Sequence, residues 1–159
     1  MRRPVVALLV CAGVVLGGCG GRRDEAPPGV PSDFVVAIEV GGRTPRAVSR
    51  YVELAADGRG QFERFDPLPH TTDTLTFTVT PAQLGRVWTV IRKNRFFTLR
   101  KEHSDPRILD GDYMVVSVRA EGRDHWVRAV NTSVPQLDRI AAAVGAVTPP
   151  AMRVDPPRH

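Results

Sequence analysis

Two periodicities divide the stretch 34–148 into strands and helices, one of two residues and one of three to four. Phe34-Val35-Val36-Ala37-Ile38-Glu39-Val40 is rich in β-branched residues and stops at Gly41-Gly42, which predicts a strand. Residues 49–54 and 61–65 flank Asp57-Gly58-Arg59-Gly60, whose glycines can take the positive φ that a hairpin demands. Residues 74–79 alternate polar and apolar, predicting a strand with one wet face, and 113–119 joins 125–130 in a second hairpin across Glu121-Gly122-Arg123-Asp124. Two segments carry helical signals instead. Thr80-Pro81-Ala82-Gln83 has a capping Thr, Pro at the first helical position and Gln three residues on, and Leu84, Val87, Trp88 and Ile91 follow at helical spacing. Ser133-Val134-Pro135-Gln136 repeats the capping spacing, with Ser133 as the expected cap and Leu137, Ile140, Ala141 and Val144 as the stripe. Each helix must lay its single apolar stripe on a sheet or on the other helix. The predicted class is α+β: an antiparallel β-sheet built from hairpins with two amphipathic helices packed on one face. The recurrence of Pro81-Ala82-Gln83-Leu84 as Pro135-Gln136-Leu137, each after a hairpin, fits either an internal duplication or shared capping chemistry.

The ends of the chain follow neither pattern. Met1-Arg2-Arg3 is a basic start, residues 5–16 are almost wholly apolar, and Leu16-Gly17-Gly18-Cys19 sets small residues ahead of a cysteine. This is the three-part layout of a signal peptide, and its apolar run is well short of the roughly 20 residues that cross a bilayer. Leu-Gly-Gly-Cys resembles the lipobox of bacterial lipoproteins. That resemblance implies cleavage between Gly18 and Cys19 and lipidation of the Cys19 thiol; Cys11, behind the bulky Val10, fits it worse. Residues 19–33 then form the lipidated cysteine and a flexible tether containing Pro27-Pro28 and Pro31, with an end-to-end distance of about 20 Å for 20–33. The expected organisation is 1–18 signal peptide, 19–33 tether, 34–148 one domain and 149–159 a flexible Pro-rich tail.

Composition bears on this layout at two points. The 159 residues are 42% hydrophobic and 25% charged, the balance of one soluble domain, and the net charge is +5. Cleavage before Cys19 removes Arg2, Arg3 and Cys11, which leaves 20 basic against 17 acidic residues and one cysteine. The mature domain therefore forms no internal disulfide. The partner expected from the ends is a membrane, engaged through lipid on Cys19. Two or more acyl chains hold a protein stably where one binds reversibly. The expected location is the outer membrane of a two-membrane envelope, or the outer face of the cytoplasmic membrane otherwise.

Candidate chemistry is sparse. Asp105, Asp110 and Asp112 could offer carboxylates to a hard cation, but the spacing lacks the twelve-residue calcium loop, and Asp110-Gly111-Asp112 reads more simply as a turn opening the next strand. His70 with Asp66 and Asp73, and His103 with Asp105, could pair as ligands or acid–base groups, yet no His/Cys array with metal spacing exists. None of Ser32, Ser49, Ser104, Ser117 and Ser133 lies in a Gly-x-Ser-x-Gly elbow, and no phosphate-binding glycine loop is present. No catalytic residue and no cofactor is expected. Arg86, Arg92, Lys93, Arg95, Arg100 and Lys101 cluster around the first helix, and Arg119, Arg123 and Arg128 around the second hairpin. Interspersed acids and the mild charge read as a solvated face open to lipid head groups or an anionic envelope polymer, with no nucleic acid expected. Trp88, Phe96, Phe97, Tyr113 and Trp126 are expected in the core.

The run from Thr80 through Arg95-Phe96-Phe97-Thr98-Leu99, Asp110-Gly111-Asp112-Tyr113, the last hairpin and the closing helix resembles a family of bacterial envelope lipoproteins carrying a domain of unknown function. Related forms carry a cysteine-containing segment near the start of the domain, which this chain lacks. The resemblance implies a lipid-anchored envelope domain that binds or scaffolds another envelope protein without catalysis. The alternatives are a small metal-dependent or hydrolytic enzyme using Asp105, Asp110 and Asp112, and an inhibitor of a secreted or envelope partner.

Overall fold

The computed structural model describes residues 29–42, 44–105, 107 and 111–154. Its strands are β1 (Val35–Gly42), β2 (Ser49–Ala55), β3 (Arg59–Asp66), β4 (Thr71–Thr78), β5 (Glu102–Ser104), β6 (Asp112–Ala120) and β7 (Arg123–Val130). The helices are α1 (Pro81–Lys93) and α2 (Pro135–Val147). The strands form one seven-stranded sheet in the order β4-β3-β2-β1-β6-β7-β5, antiparallel except for the parallel β5–β7 pair. The α+β architecture expected from the sequence is thus the one observed.

Register explains how one face becomes the core. Residues directly opposite one another across a sheet share a face. Val36 lies opposite Leu54 and Val118, and Ile38 opposite Val52 and Val116. These six side chains are buried, together with Phe62, Met114, Val127 and Ala129 of the same face. The helices cover that layer with Leu84, Val87, Trp88 and Ile91 from α1 and Leu137, Ile140, Ala141 and Val144 from α2, the two stripes read from the sequence. Phe34 meets Trp88 edge to face at 5.5 Å. Burying a large apolar side chain is worth about 1.5–3 kcal/mol, so this single layer is the main source of stability.

Two glycines are fixed by geometry. Gly58 turns the β2–β3 hairpin at φ +81°, where a Cβ would stand 2.7 Å from the Val79 carbonyl oxygen, and a Cβ on Gly60 would run into the Phe77 ring. The β6–β7 turn is shorter than the four-residue loop expected: Glu121 and Gly122 alone make it, both at positive φ.

The helix caps differ from each other. At α1 the Thr80 side chain accepts from the Gln83 backbone N–H while the Gln83 side chain reaches back to the Thr80 N–H, the expected capping box. At α2 the cap is Val134, with no side-chain bond, and the Ser133 hydroxyl donates to Asp138 Oδ2 at 2.6 Å instead. The residue before a proline is pushed to extended backbone, so with Pro135 at the first helical position the cap falls on Val134 and Ser133 stands one residue too early.

The packed chain also reaches past 34–148 on both sides. Val30 and Val154 are buried, and Pro150–Met152 form a 3-10 turn. The Asp33 carboxylate accepts from the backbone N–H groups of Glu121 at 2.9 Å and Gly122 at 2.7 Å, tying the incoming chain to the β6–β7 turn. Among the described residues no helix is long and apolar enough to cross a membrane.

Candidate functional site

The sequence-predicted residues take separate local roles. Asp110 lies outside the described residues, as do Gly18 and Cys19. Asp105 follows β5 and accepts from the Arg107 side chain at 2.9 and 2.6 Å and from its backbone N–H at 3.0 Å. The Arg107 side-chain hydrogen bond, followed by its backbone N–H, holds the Asp105 carboxyl down at about 2. Asp112 starts β6 opposite Gly42, and its carbonyl accepts from the Asn131 N–H. Among the described residues no group of three or more His, Cys, Asp or Glu could hold a metal ion. His103 Nε2 meets the Arg100 carbonyl at 3.0 Å, while Asp105 is taken up by Arg107. Asp66 accepts from the Leu68 N–H and sits 3.7 Å from Arg64, and His70 is exposed.

The aromatic residues divide by face. Trp88 and Phe96 are buried, and Phe96 and Phe97 flank the His125 ring at 5.4 and 6.4 Å, so the exit of α1 is packed as expected. Tyr113 and Trp126 are not in the core. They point to the side of the sheet away from the helices, where Trp126 is 38% exposed. The alternation of each strand dictates this: Met114, Val116 and Val127 take the core side, so Tyr113 and Trp126 must take the other.

That open face carries a dense polar arrangement. Along one row Arg128, Val115, Glu39, Tyr51 and Glu63 lie side by side on β7, β6, β1, β2 and β3; the next row holds Trp126, Ser117, Ala37, Glu53 and Gln61. Three glutamates on three adjacent strands therefore surround Tyr51. They border a shallow concavity of about 450 Å³ with Ser49, Gln61 and Phe65, the last 40% exposed. Each carboxylate has a neutral donor: the Tyr113 hydroxyl donates to Glu39 Oε1 at 2.6 Å, the Tyr51 hydroxyl to Glu53 Oε2 at 2.5 Å, and Gln61 Nε2 to Glu63 Oε1 at 2.6 Å. Among the described residues none of the three forms an ion pair with Lys or Arg.

The three glutamates lie on β1–β3, whereas Arg119 and Arg128 lie on β6 and β7 opposite Asp124 and Glu102, with the Arg128 guanidinium 5.7 Å from the Tyr113 ring centre and Lys101 5.4 Å from that of Trp126. The phenols record the acidic half. Burial first, then the hydrogen bond to Glu39 and its charge, push Tyr113 up to about 12 against an opposing pull from Arg128. Tyr51 is also pushed up, by burial, its bond to Glu53, and the charges of Glu53, Glu63 and Glu39. Both tyrosines thus remain neutral hydrogen-bond donors at neutral pH. Sequence reading missed this group because its members are spread from 39 to 113 and meet only through the register.

No protein-family model matches the chain, and no curated protein matches it either.

Proposed function

We propose that this protein is a non-enzymatic, lipid-anchored domain of the bacterial cell envelope that binds a basic, partly apolar segment of another envelope protein on the open face of its sheet. The observation that carries the reading is the set Glu39, Glu53 and Glu63 around Tyr51, three carboxylates without a Lys or Arg partner among the described residues, beside the exposed Phe65. A carboxylate that already holds one neutral donor keeps lone pairs for a cation, and charge-assisted bonds are the stronger kind. An incoming Lys or Arg side chain bonds the glutamates and lies on the Tyr51 ring, and an apolar neighbour in the same segment covers Phe65. Antiparallel sheets commonly leave one face to water, so it is the unpaired charge and the exposed ring, rather than the openness, that supports a partner.

Titrating the labelled protein with a synthetic peptide of alternating Lys and Leu tests the site. Shifts of the Tyr51, Glu53 and Glu63 resonances are expected, with roughly fivefold weaker binding to Glu39→Gln/Glu63→Gln. Equal binding of the peptide's Glu-for-Lys counterpart, or no loss in the double variant, rejects the site. The anchor is tested separately by fractionating cells that make Cys19→Ser: the protein is expected to leave the membrane fraction, and its retention there as a cleaved product contradicts anchoring.

A further inference from the structure

The end of the domain where the chain comes in carries a second concavity, distinct from the open face. Beside the β6–β7 turn that Asp33 grips, the exit of α1 and the 3-10 turn Phe96–Thr98 border a hollow of about 280 Å³. Arg92, Arg95 and Arg123 line it together with Glu121, and Trp88 and Phe97 form its apolar wall. Three arginines thus line the hollow against one glutamate, and that glutamate's carboxylate is taken up by Arg123 at 2.5 Å. Among the described residues Arg92 and Arg95 make no ion pair. The neighbouring acids are also engaged: Asp33 by two backbone N–H groups, Asp124 by Arg119 at 3.0 Å.

The hollow is held in shape by the backbone. Arg95 sits in the left-handed region at φ 53°, a conformation that disfavours residues bearing a Cβ. It is kept there by its N–H bond to the Arg92 carbonyl at 3.0 Å and by Thr98, whose N–H and hydroxyl both donate to the Arg95 carbonyl. The Arg123 guanidinium lies over the Phe97 ring at 4.2 Å, which fixes a cation against the apolar wall. Arg92 and Lys93 partly serve to offset the negative carbonyl end of α1, but Arg95 and Arg123 lie beyond that helix and add positive charge there.

We propose that this hollow binds the phosphate of an anionic phospholipid, so that the tethered end of the domain rests on the membrane surface. Arg92 and Arg95 bond the phosphate oxygens, and Phe97 with Trp88 meets the glycerol and first acyl carbons. Cation and apolar wall side by side fit a group with an anionic head and an apolar stem, and Asp33 brings the incoming chain to the same end. The inference rests on the anchored reading only in choosing a lipid over a soluble phosphate.

The test titrates the full chain with three probes: dihexanoyl phosphatidylglycerol below its micellar concentration, dihexanoyl phosphatidylcholine, and inorganic phosphate. Binding is read at the Trp88 indole, Phe97 and Arg123 resonances. The phosphatidylglycerol is expected to shift all three and to bind at least about tenfold more tightly than either other probe. Arg92→Gln and Arg95→Asn, the latter chosen because Asn tolerates the left-handed backbone, are each expected to weaken it by about tenfold. Arg86→Gln, elsewhere on α1, and Glu39→Gln/Glu63→Gln on the open face are expected to leave it unchanged. Equal binding of inorganic phosphate overturns the lipid assignment; an equal loss in Arg86→Gln, or no response to the phosphatidylglycerol, overturns the site. Release of Cys19→Ser from membranes is a separate readout, so a failed hollow and a failed anchor are told apart.

Discussion

The chain has two tyrosines, Tyr51 and Tyr113, and both lie on the open face with their hydroxyls on glutamates, so an alkaline titration of phenol absorbance reads that face alone. Tyr113 is raised from 10.0 to about 12, first by burial, then by its bond to Glu39 and by the Glu39 charge. A two-unit rise corresponds to about 2.7 kcal/mol between neutral and ionised phenol, which solvent at this half-buried position reduces to about 1 kcal/mol. Because the folded value is the higher one, the neutral phenol is favoured in the folded state. Its contribution is fully present below the ordinary value near 10 and is lost as pH rises through about 12. At pH 11 a smaller share of Tyr113 is expected to be ionised than of a free tyrosine, of which about nine tenths is ionised. Glu39→Gln keeps an acceptor for the hydroxyl but removes the charge, and is expected to lower the Tyr113 midpoint by about one unit without moving the circular dichroism of the fold. Ionisation of both phenols near pH 10 while that signal stays native would refute the arrangement of the acidic half.

Further expectations concern the fold that holds this face in place. Thr80→Ala removes a capping box and is expected to cost about 1 kcal/mol in urea unfolding, whereas Ser133→Ala, one residue short of the α2 cap, is expected to cost less than about 0.5 kcal/mol. Equal losses would mean that Ser133 caps after all. Phe34→Ala empties a fully buried site against Trp88 and is expected to cost about 3–5 kcal/mol; a loss below about 1 kcal/mol would contradict the packing of the chain entering β1 against α1. Arg50 and Arg64 face each other directly across β2 and β3, so Arg50→Glu is expected to stabilise the chain by roughly 0.2–1 kcal/mol, with a rise in thermal midpoint as the measurement and a fall as the contrary result.

Which parts of this structure were legible in the sequence depends on the range over which each was decided. The strands β1 to β3, β6 and β7 and both helices announce themselves within ten residues, because burial of one face or stripe imposes a period. Glu102-His103-Ser104 carries no period, and β5 exists only because it finds the free edge of β7. β4 alternates as expected, but its flank of the sheet lies at the edge, which leaves Leu75 46% exposed. The α2 cap was readable in principle from Pro135 alone, since Thr80-Pro81 and Val134-Pro135 place their caps by the same steric rule. The open face was not readable. Glu39, Tyr51, Glu63 and Tyr113 share a neighbourhood only once β1 pairs with both β2 and β6, and a one-residue slip in either register would send them to the helix side. Asp33 likewise reads as tether in the sequence, because its partners stand 88 and 89 residues away.

The central claim is that the acidic half of the open face binds a basic segment of an envelope partner. Its most direct measurement is crosslinking in the native cell from a photoreactive phenylalanine analogue at Phe65, with the same analogue at the exposed Ala82 of α1 as the control. A discrete protein adduct is expected from position 65, absent from position 82 and lost in Glu39→Lys/Glu63→Lys, with its crosslinked peptide rich in Lys or Arg. An adduct that survives the charge reversal, or the same adduct from both positions, would contradict the claim.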